Sequence, residues 1–279
     1  MRPLGGETAY RASPRTAWSV TNKREMLTWE QCHAKLRDDA QAYVPSGVTQ
    51  LVLLGDSITE SWRGTSYGRS VARTKGVPAV LSASLATQWP SPLALGIAAD
   101  CTQHLLWRMM HGELSSAMKQ APHLVFVMLI GTNNLGRGHS TDETTQGIVA
   151  CAQYVLNATR GQLVLNALLP RGDRRRRGRK KGRGFLGDIQ QVNAALNGSV
   201  NSVLASKFPG RARYVDCGAP FLLSPGHPTP EARSGKSLEA EVVDRTLMPD
   251  RLHPNVAGHR KWAACLRRSI EGGKAPVAV

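Results

Sequence analysis

Apolar residues fall along this chain in two rhythms. Short unbroken runs, each closed by glycine, proline or a polar cluster, read as strands buried on both faces of a sheet. Leu51–Leu54 before Gly55, Leu124–Ile130 before Gly131 and Leu163–Leu168 before Pro170 are such runs. Leu93–Gly96 reads as another strand end and Arg213–Asp216 as a short last strand. The stretch 64–92 reads as exposed loop with a strand near Ala79–Leu81, and 220–248 as mostly loop. Between the strands, apolar residues recur every three to four positions, the spacing of a helix with one buried stripe. Trp29, Cys32, Leu36 and Ala40 form a stripe opened by the capping-box pattern Thr28-Trp-Glu-Gln31, in a helix running to about Tyr43. Ile148, Ala152 and Val155 form another behind Ser140-Thr-Asp-Glu143. A short helix containing Trp62 follows Ser57, and another after Asp100 carries Leu105, Leu106, Met109 and Met110. Ile189, Val192, Leu196 and Val200 predict a helix over 188–204, and Trp262, Leu266 and Ile270 a closing helix over 255–270. Strands alternating with helices predict an α/β fold: a parallel sheet with helices on both faces and right-handed crossovers. No internal repeat and no second core is visible, so one domain is expected over 26–272, after a disordered leader at 1–25.

Length and composition support this picture. With 279 residues and 41% hydrophobic content, the chain can build one full α/β core. No apolar run approaches the roughly 20 residues that span a bilayer. The N-terminus lacks the apolar core of a secretion signal, and residues 1–24 are rich in Arg, Ser and Thr with one acid, Glu7. A disordered leader is the expectation there, a transit peptide the alternative. The five cysteines (Cys32, Cys101, Cys151, Cys217, Cys265) are scattered and lack CxxC spacing. They indicate neither a disulfide framework nor a metal site, and an intracellular, reducing compartment is expected. No cofactor is expected either.

The net charge of +16 changes the picture only once it is localised. Between Arg171 and Arg183 stand nine basic residues and one acid, Asp173, so a basic loop over 171–184 carries half of the charge. It reads as a solvated loop, as a polyanion or nucleic-acid contact through Arg174–Arg183, or as a contact to an anionic membrane.

Candidate chemistry begins at Gly55-Asp-Ser57, at the carboxyl end of the first strand, where open α/β sheets place their ligands. The plain alternative is a strand followed by a helix cap. A hydrolytic serine needs a base, a group orienting that base, and donors for an oxyanion. Of eight histidines, three lie on predicted helices and four in or beside loops. His253 stands apart, three residues after Asp250 and just before the last helix. That spacing can bring a carboxylate under imidazole Nδ1 and leave Nε2 to take a proton from Ser57; a capped turn is the alternative. A backbone N–H of the 96–100 loop, the Asn133 amide and the N–H of Ser57 could together receive an oxyanion.

Four blocks in order, Gly55-Asp-Ser-Ile-Thr59, Gly96-Ile-Ala-Ala-Asp100, Gly131-Thr-Asn-Asn134 and Asp250-x-x-His253, resemble the SGNH (GDSL-type) hydrolase family. Within it, Thr102–Arg108 and Leu168-Leu-Pro-Arg-Gly172 resemble the catalytic subunits of platelet-activating-factor acetylhydrolase and their bacterial and algal relatives. The resemblance covers about 29–266. It implies a flavodoxin-like three-layer α/β/α sandwich with about five parallel strands, and hydrolysis of small acyl esters through an acyl-serine. By position it makes Ser57 the nucleophile, His253 the base and Asp250 its orienting acid. Ser57, Ala99 and Asn133 then form the oxyanion hole, and a homodimer is implied as a possibility. Two departures stand out. The family's Gly-Gly before the aspartate is Ala98-Ala99 here, a strain if that position needs positive φ; a catalytically impaired binding module is the alternative function. His259 stands where relatives often carry Tyr, a packing change.

Overall fold

The computed structural model describes residues 8–15, 23–173, 184–223 and 243–272. Its centre is a five-stranded parallel sheet of β1 (Gln50–Gly55), β4 (Leu93–Gly96), β5 (Leu124–Leu129), β6 (Gln162–Asn166) and β7 (Ala212–Val215), in the order β4-β1-β5-β6-β7. The short β2 (Thr65–Ser66) and β3 (Arg69–Ser70) form a separate antiparallel ribbon. Counting only the main sheet, the order is 2-1-3-4-5, the flavodoxin-like doubly wound arrangement. All residues of β1 and β5 are buried, which is why these strands read as continuous apolar runs rather than alternating ones.

The winding sets the layers. The crossover from β1 to β4 contains helix Val77–Ser84, which packs on the last helix, Val256–Glu271. After β4 the chain reverses direction across the sheet. Helices Thr102–Arg108, Thr141–Ala158 and Leu186–Ser199 then pack in sequence with one another on the other face. Right-handed crossovers require this division. The reversal opens a crevice at the carboxyl ends of β1 and β5.

Several expectations are corrected. The strand expected near Ala79–Leu81 is helix Val77–Ser84, with Pro78 in its first turn, Gly76 at φ 85° before it, and Val77 and Val80 buried. Proline suits a first helical turn and suits a central strand poorly. The stretch 64–92 is not an exposed loop: it holds the ribbon and this helix, and Trp89 is buried. The first long helix starts at Lys23, earlier than its capping-box pattern implied, and ends at Ala42. The 188–204 helix begins at Leu186 and ends in a wider turn, Val200–Leu204.

The disordered-leader expectation fails for residues 8–15, which pack against the domain. Thr102 Oγ1 donates to Ala9 O at 2.6 Å, Ser13 N donates to Gln103 O at 3.2 Å, and Arg15 is buried. Composition concealed this because the contacts run through backbone carbonyls and one long-range ion pair. The cysteine reading is corrected too: Cys217 and Cys265 form a disulfide, Cα–Cα 5.7 Å, joining the segment after β7 to the last helix. Their 48-residue separation hid the pairing. Cys32, Cys101 and Cys151 are free and buried. The expected polyanion-contacting segment Arg174–Arg183 lies outside the described residues. Among the described residues no helix is long and apolar enough to cross a membrane.

Candidate active site

Three strand ends meet at one level. Gly55 of β1 pairs in register with Gly96 of β4 on one side and Leu129 of β5 on the other. The approach is close enough to require glycine: a Cβ at Gly96 would stand 2.6 Å from Asp56 O and from Glu60 N. The predicted blocks therefore leave the sheet side by side.

Asp56 caps the short helix Ser57–Glu60, its Oδ1 accepting from Ile58 N at 3.0 Å. Ser57 thus opens a helix, and its N–H has no intrahelical acceptor. Its Oγ lies 2.9 Å from His253 Nε2. His253 Nδ1 lies 2.7 Å from Asp250 Oδ2, while Asp250 Oδ1 accepts from the backbone N–H of Leu252 at 3.0 Å and of His253 at 2.7 Å. Burial opposes ionisation of Asp250. The bonds from the His253 side chain and backbone outweigh it and hold the carboxyl well below the usual range. The turn bends through Arg251 at φ 64° and is tied to the loop after β6 by Gly172 N donating to Arg251 O at 2.8 Å. One carboxylate thus makes both contacts: Oδ1 caps the turn and Oδ2 meets the His253 ring.

The 97–100 loop is held from behind. Ala98 N donates to Glu60 Oε2 at 2.7 Å, and an Arg15 guanidinium N–H donates to Ala98 O. Asp100 is fully buried between Trp29 Nε1 at 2.8 Å, Arg15 at 3.1 Å and Arg108 Nε at 2.7 Å. Ala99 sits at φ 62°, the left-handed conformation that the substitution of glycine made a concern. Such a conformation costs an alanine roughly 1–2 kcal/mol. Among the described residues nothing accepts from the Ala99 N–H.

Asn133 lies in a short helix, Thr132–Arg137, rather than the loop expected after β5. Its Nδ2 donates to Asp100 O at 2.9 Å and to Asp56 Oδ2 at 3.3 Å. It therefore bridges the serine block and the Ala99 block. Both amide hydrogens are engaged, the one to Asp56 at the longer distance. Burial raises the Asp56 carboxyl to about 7, with the bond from Ile58 lowering it and the charge of Asp100 raising it further.

Two buried residues here had no sequence signal as site builders. Glu60 accepts from Thr65 Oγ1, Tyr67 N, Gly68 N and Ala98 N, so one carboxylate fixes two loops. Arg15 belongs to a segment whose composition pointed to disorder. Arg171, read as part of the basic run, is buried and donates to Thr132 O at 2.8 Å and to both carboxylate oxygens of Asp173. His259 is buried edge-on against Trp62, centroids 4.6 Å apart, and donates from Nδ1 to Asn255 O at 2.9 Å; burial lowers it to about 4, so the ring stays neutral. Among the described residues no group of three His, Cys, Asp or Glu side chains could hold a metal.

Sheet order and strand-end cluster together define a doubly wound α/β protein with Ser57, His253 and Asp250 in line at the carboxyl end of its first strand. A sequence profile of the GDSL-like lipase/acylhydrolase family matches residues 53–261, and the chain belongs to that family. It is similar to the platelet-activating factor acetylhydrolase IB subunit alpha1 of Bos taurus, 33% identical over 135 residues, covering 48% of this chain and 50% of that one. The human alpha2 subunit is 34% identical over 83 residues, 29% of this chain and 34% of that one. The chain spans about half the length of the alpha1 relatives it matches, and less of alpha2. Among solved structures, a GDSL-like lipase from Bacteroides thetaiotaomicron superposes with a TM-score of 0.61 at 19% identity, covering 86% of this chain and 97% of that one. An acetylxylan esterase from Geobacillus stearothermophilus gives 0.52 at 18%, covering 81% and 95%. At such identity these two likenesses bear on the fold.

Proposed function

We propose that this chain is a serine esterase that hydrolyses small acyl esters, acetyl esters foremost, of a lipid or carbohydrate alcohol. The observation that carries this is the unbroken line Asp250–His253–Ser57, with contacts of 2.7 and 2.9 Å. In this reading His253 Nε2 takes the Ser57 Oγ proton as Oγ attacks the ester carbonyl. The carbonyl oxygen becomes an oxyanion received by the N–H groups of Ser57 and Ala99. The Asn133 amide joins them by giving up its longer bond to Asp56. The tetrahedral adduct collapses, the alkoxide leaves with the proton from His253, and an acyl-Ser57 remains. Water, deprotonated by His253, then releases the carboxylic acid and restores the serine. Asp250, kept ionised, stabilises the imidazolium in both halves. The acetyl preference rests on the named activity of the acetylhydrolase relatives.

The strained Ala99 is the one observation that favours the alternative, an impaired binding module. Labelling with a fluorophosphonate probe decides between them. Label on wild-type Ser57, absent in Ser57→Ala and weak in His253→Ala, is the expected result. Folded wild-type protein that takes no label would overturn the esterase. A series of p-nitrophenyl esters of increasing chain length then reads the acyl preference.

A further inference from the structure

The peptide that joins Ala98 to Ala99 has a planar, rigid geometry, with its C=O and N–H pointing in opposite directions. Whatever grips the Ala98 carbonyl therefore aims the Ala99 N–H. That grip comes from Arg15, whose guanidinium donates to Ala98 O. Arg15 is itself held: Asp100 lies 3.1 Å away with both side chains fully buried, and the guanidinium stands 5.4 Å over the Tyr67 ring. The backbone around it is fixed by Thr102 donating to Ala9 O and by Ser13 donating to Gln103 O.

A competing conformation explains why such a grip is needed. Flipping the 98–99 peptide would carry φ of Ala99 from 62° into the negative region that L-residues prefer. The flip would relieve the alanine and turn its N–H away. With glycine at 99 the same flip would gain little. Arg15 opposes it by holding the carbonyl with a buried, charged donor, and a cation on the C=O also strengthens the N–H as a donor.

We infer that Arg15, on the N-terminal strap 8–15, is a positioning residue for the oxyanion hole, locking the Ala98–Ala99 peptide with its N–H toward the reacting carbonyl. This rests on the esterase reading above. The strap is then part of the catalytic apparatus, acting through the peptide rather than touching substrate.

The test uses the full chain with Arg15→Lys and Arg15→Met, each in the wild-type and the Ala99→Gly background. Arg15→Lys keeps a cation beside Asp100 and so guards against loss of the fold. The readouts are kcat and KM for p-nitrophenyl acetate and the affinity of a short alkyl trifluoromethyl ketone, which forms a tetrahedral adduct on a reactive serine. In the wild-type background kcat should fall roughly 10–100-fold with KM within about twofold, since misaiming a group by about 1 Å can cost 100-fold. Ketone affinity should fall in parallel, because the hole binds the tetrahedral form. In the Ala99→Gly background the loss should shrink to about threefold, the coupling expected of two residues acting on one peptide. Folded Arg15 variants with unchanged kcat would overturn the inference, as would losses of equal size in the two backgrounds. A wild type lacking Ser57-dependent turnover would instead sink the esterase reading, and this inference with it.

Discussion

Ser57 Oγ and His253 Nε2 meet at 2.9 Å across 196 residues of chain. Each is placed by its own element. Ser57 opens the helix after β1, and His253 ends a turn pinned to the β6 loop through Gly172 and to the last helix through Asn255 N donating to Leu247 O at 2.9 Å. The meeting depends on the sheet order, which brings the end of the chain back over the end of its first strand.

Asp250→Asn tests the orienting acid. The Asn side-chain oxygen can still accept from Leu252 N and His253 N, so the turn and the thermal midpoint should survive. The imidazolium loses its partner, and the favoured tautomer changes. We expect kcat on p-nitrophenyl acetate to fall about 10²–10⁴-fold, read against a circular-dichroism melt. A fall below tenfold would show that Asp250 serves the turn alone.

Ala99→Gly should stabilise the chain without loss of turnover. It removes a strain of roughly 1–2 kcal/mol and adds a smaller entropy cost in the unfolded state. Urea denaturation should show a net gain of about 0.5–1 kcal/mol. Turnover should not decrease while Arg15 is in place.

The Asp56 carboxyl ionises near 3.8 in its ordinary state and near 7 in the fold. Between those values the unfolded chain gives up the proton first, so stability falls as pH rises through that window. A separation of about three pH units corresponds to about 4 kcal/mol at most. Asp250 has the opposite sign: its stabilisation is complete above the ordinary carboxylate range and is lost as pH falls below it. Equilibrium unfolding between pH 4 and 8 should therefore show a decline that Asp56→Asn flattens. A wild-type profile flat over that range would refute the buried, protonated carboxyl.

Glu60→Gln leaves one carboxamide face pointing hydrogens at two donors, either Tyr67 N and Ala98 N or Thr65 and Gly68 N. Breaking a buried charged network in this way costs on the order of 3 kcal/mol. The loss should appear in urea melts, and kcat should fall too because the 97–100 loop loses its hold on Ala98.

Reduction offers a separate check on the fold. Cys217–Cys265 closes a 48-residue span, which in the chain-entropy picture contributes up to about 4 kcal/mol. The Cys217→Ala/Cys265→Ala double variant should melt lower than the parent under oxidising conditions and match it in excess dithiothreitol. Equal melts without reductant would show that the pair does not form in solution.

Local rules read well wherever the signal was local. Continuous apolar runs announced β1 and β5 because both faces of those strands are covered. Ser140 announced a helix start because a cap acts within three residues. The serine, histidine and aspartate could be named because each sits in a short block with its own backbone purpose. Ala79–Leu81 misled because three apolar residues fit a strand or a helix equally well, and Pro78 just before them is what tipped the balance to helix.

By itself, then, the sequence determined the alternation of strands and helices, the blocks at strand ends and the glycine-to-alanine change at 99, since these are properties of neighbours in the chain. Only the tertiary structure decided that Ala99 must sit at positive φ, that Glu60 and Arg15 are buried behind it, that Cys217 finds Cys265, and that part of the supposed leader is a strap. Those are contacts between residues from 38 to 93 positions apart. Hydrogen bonds and ion pairs at such separations leave no periodicity and no composition bias to read, because their geometry exists only once the sheet has brought the loops together.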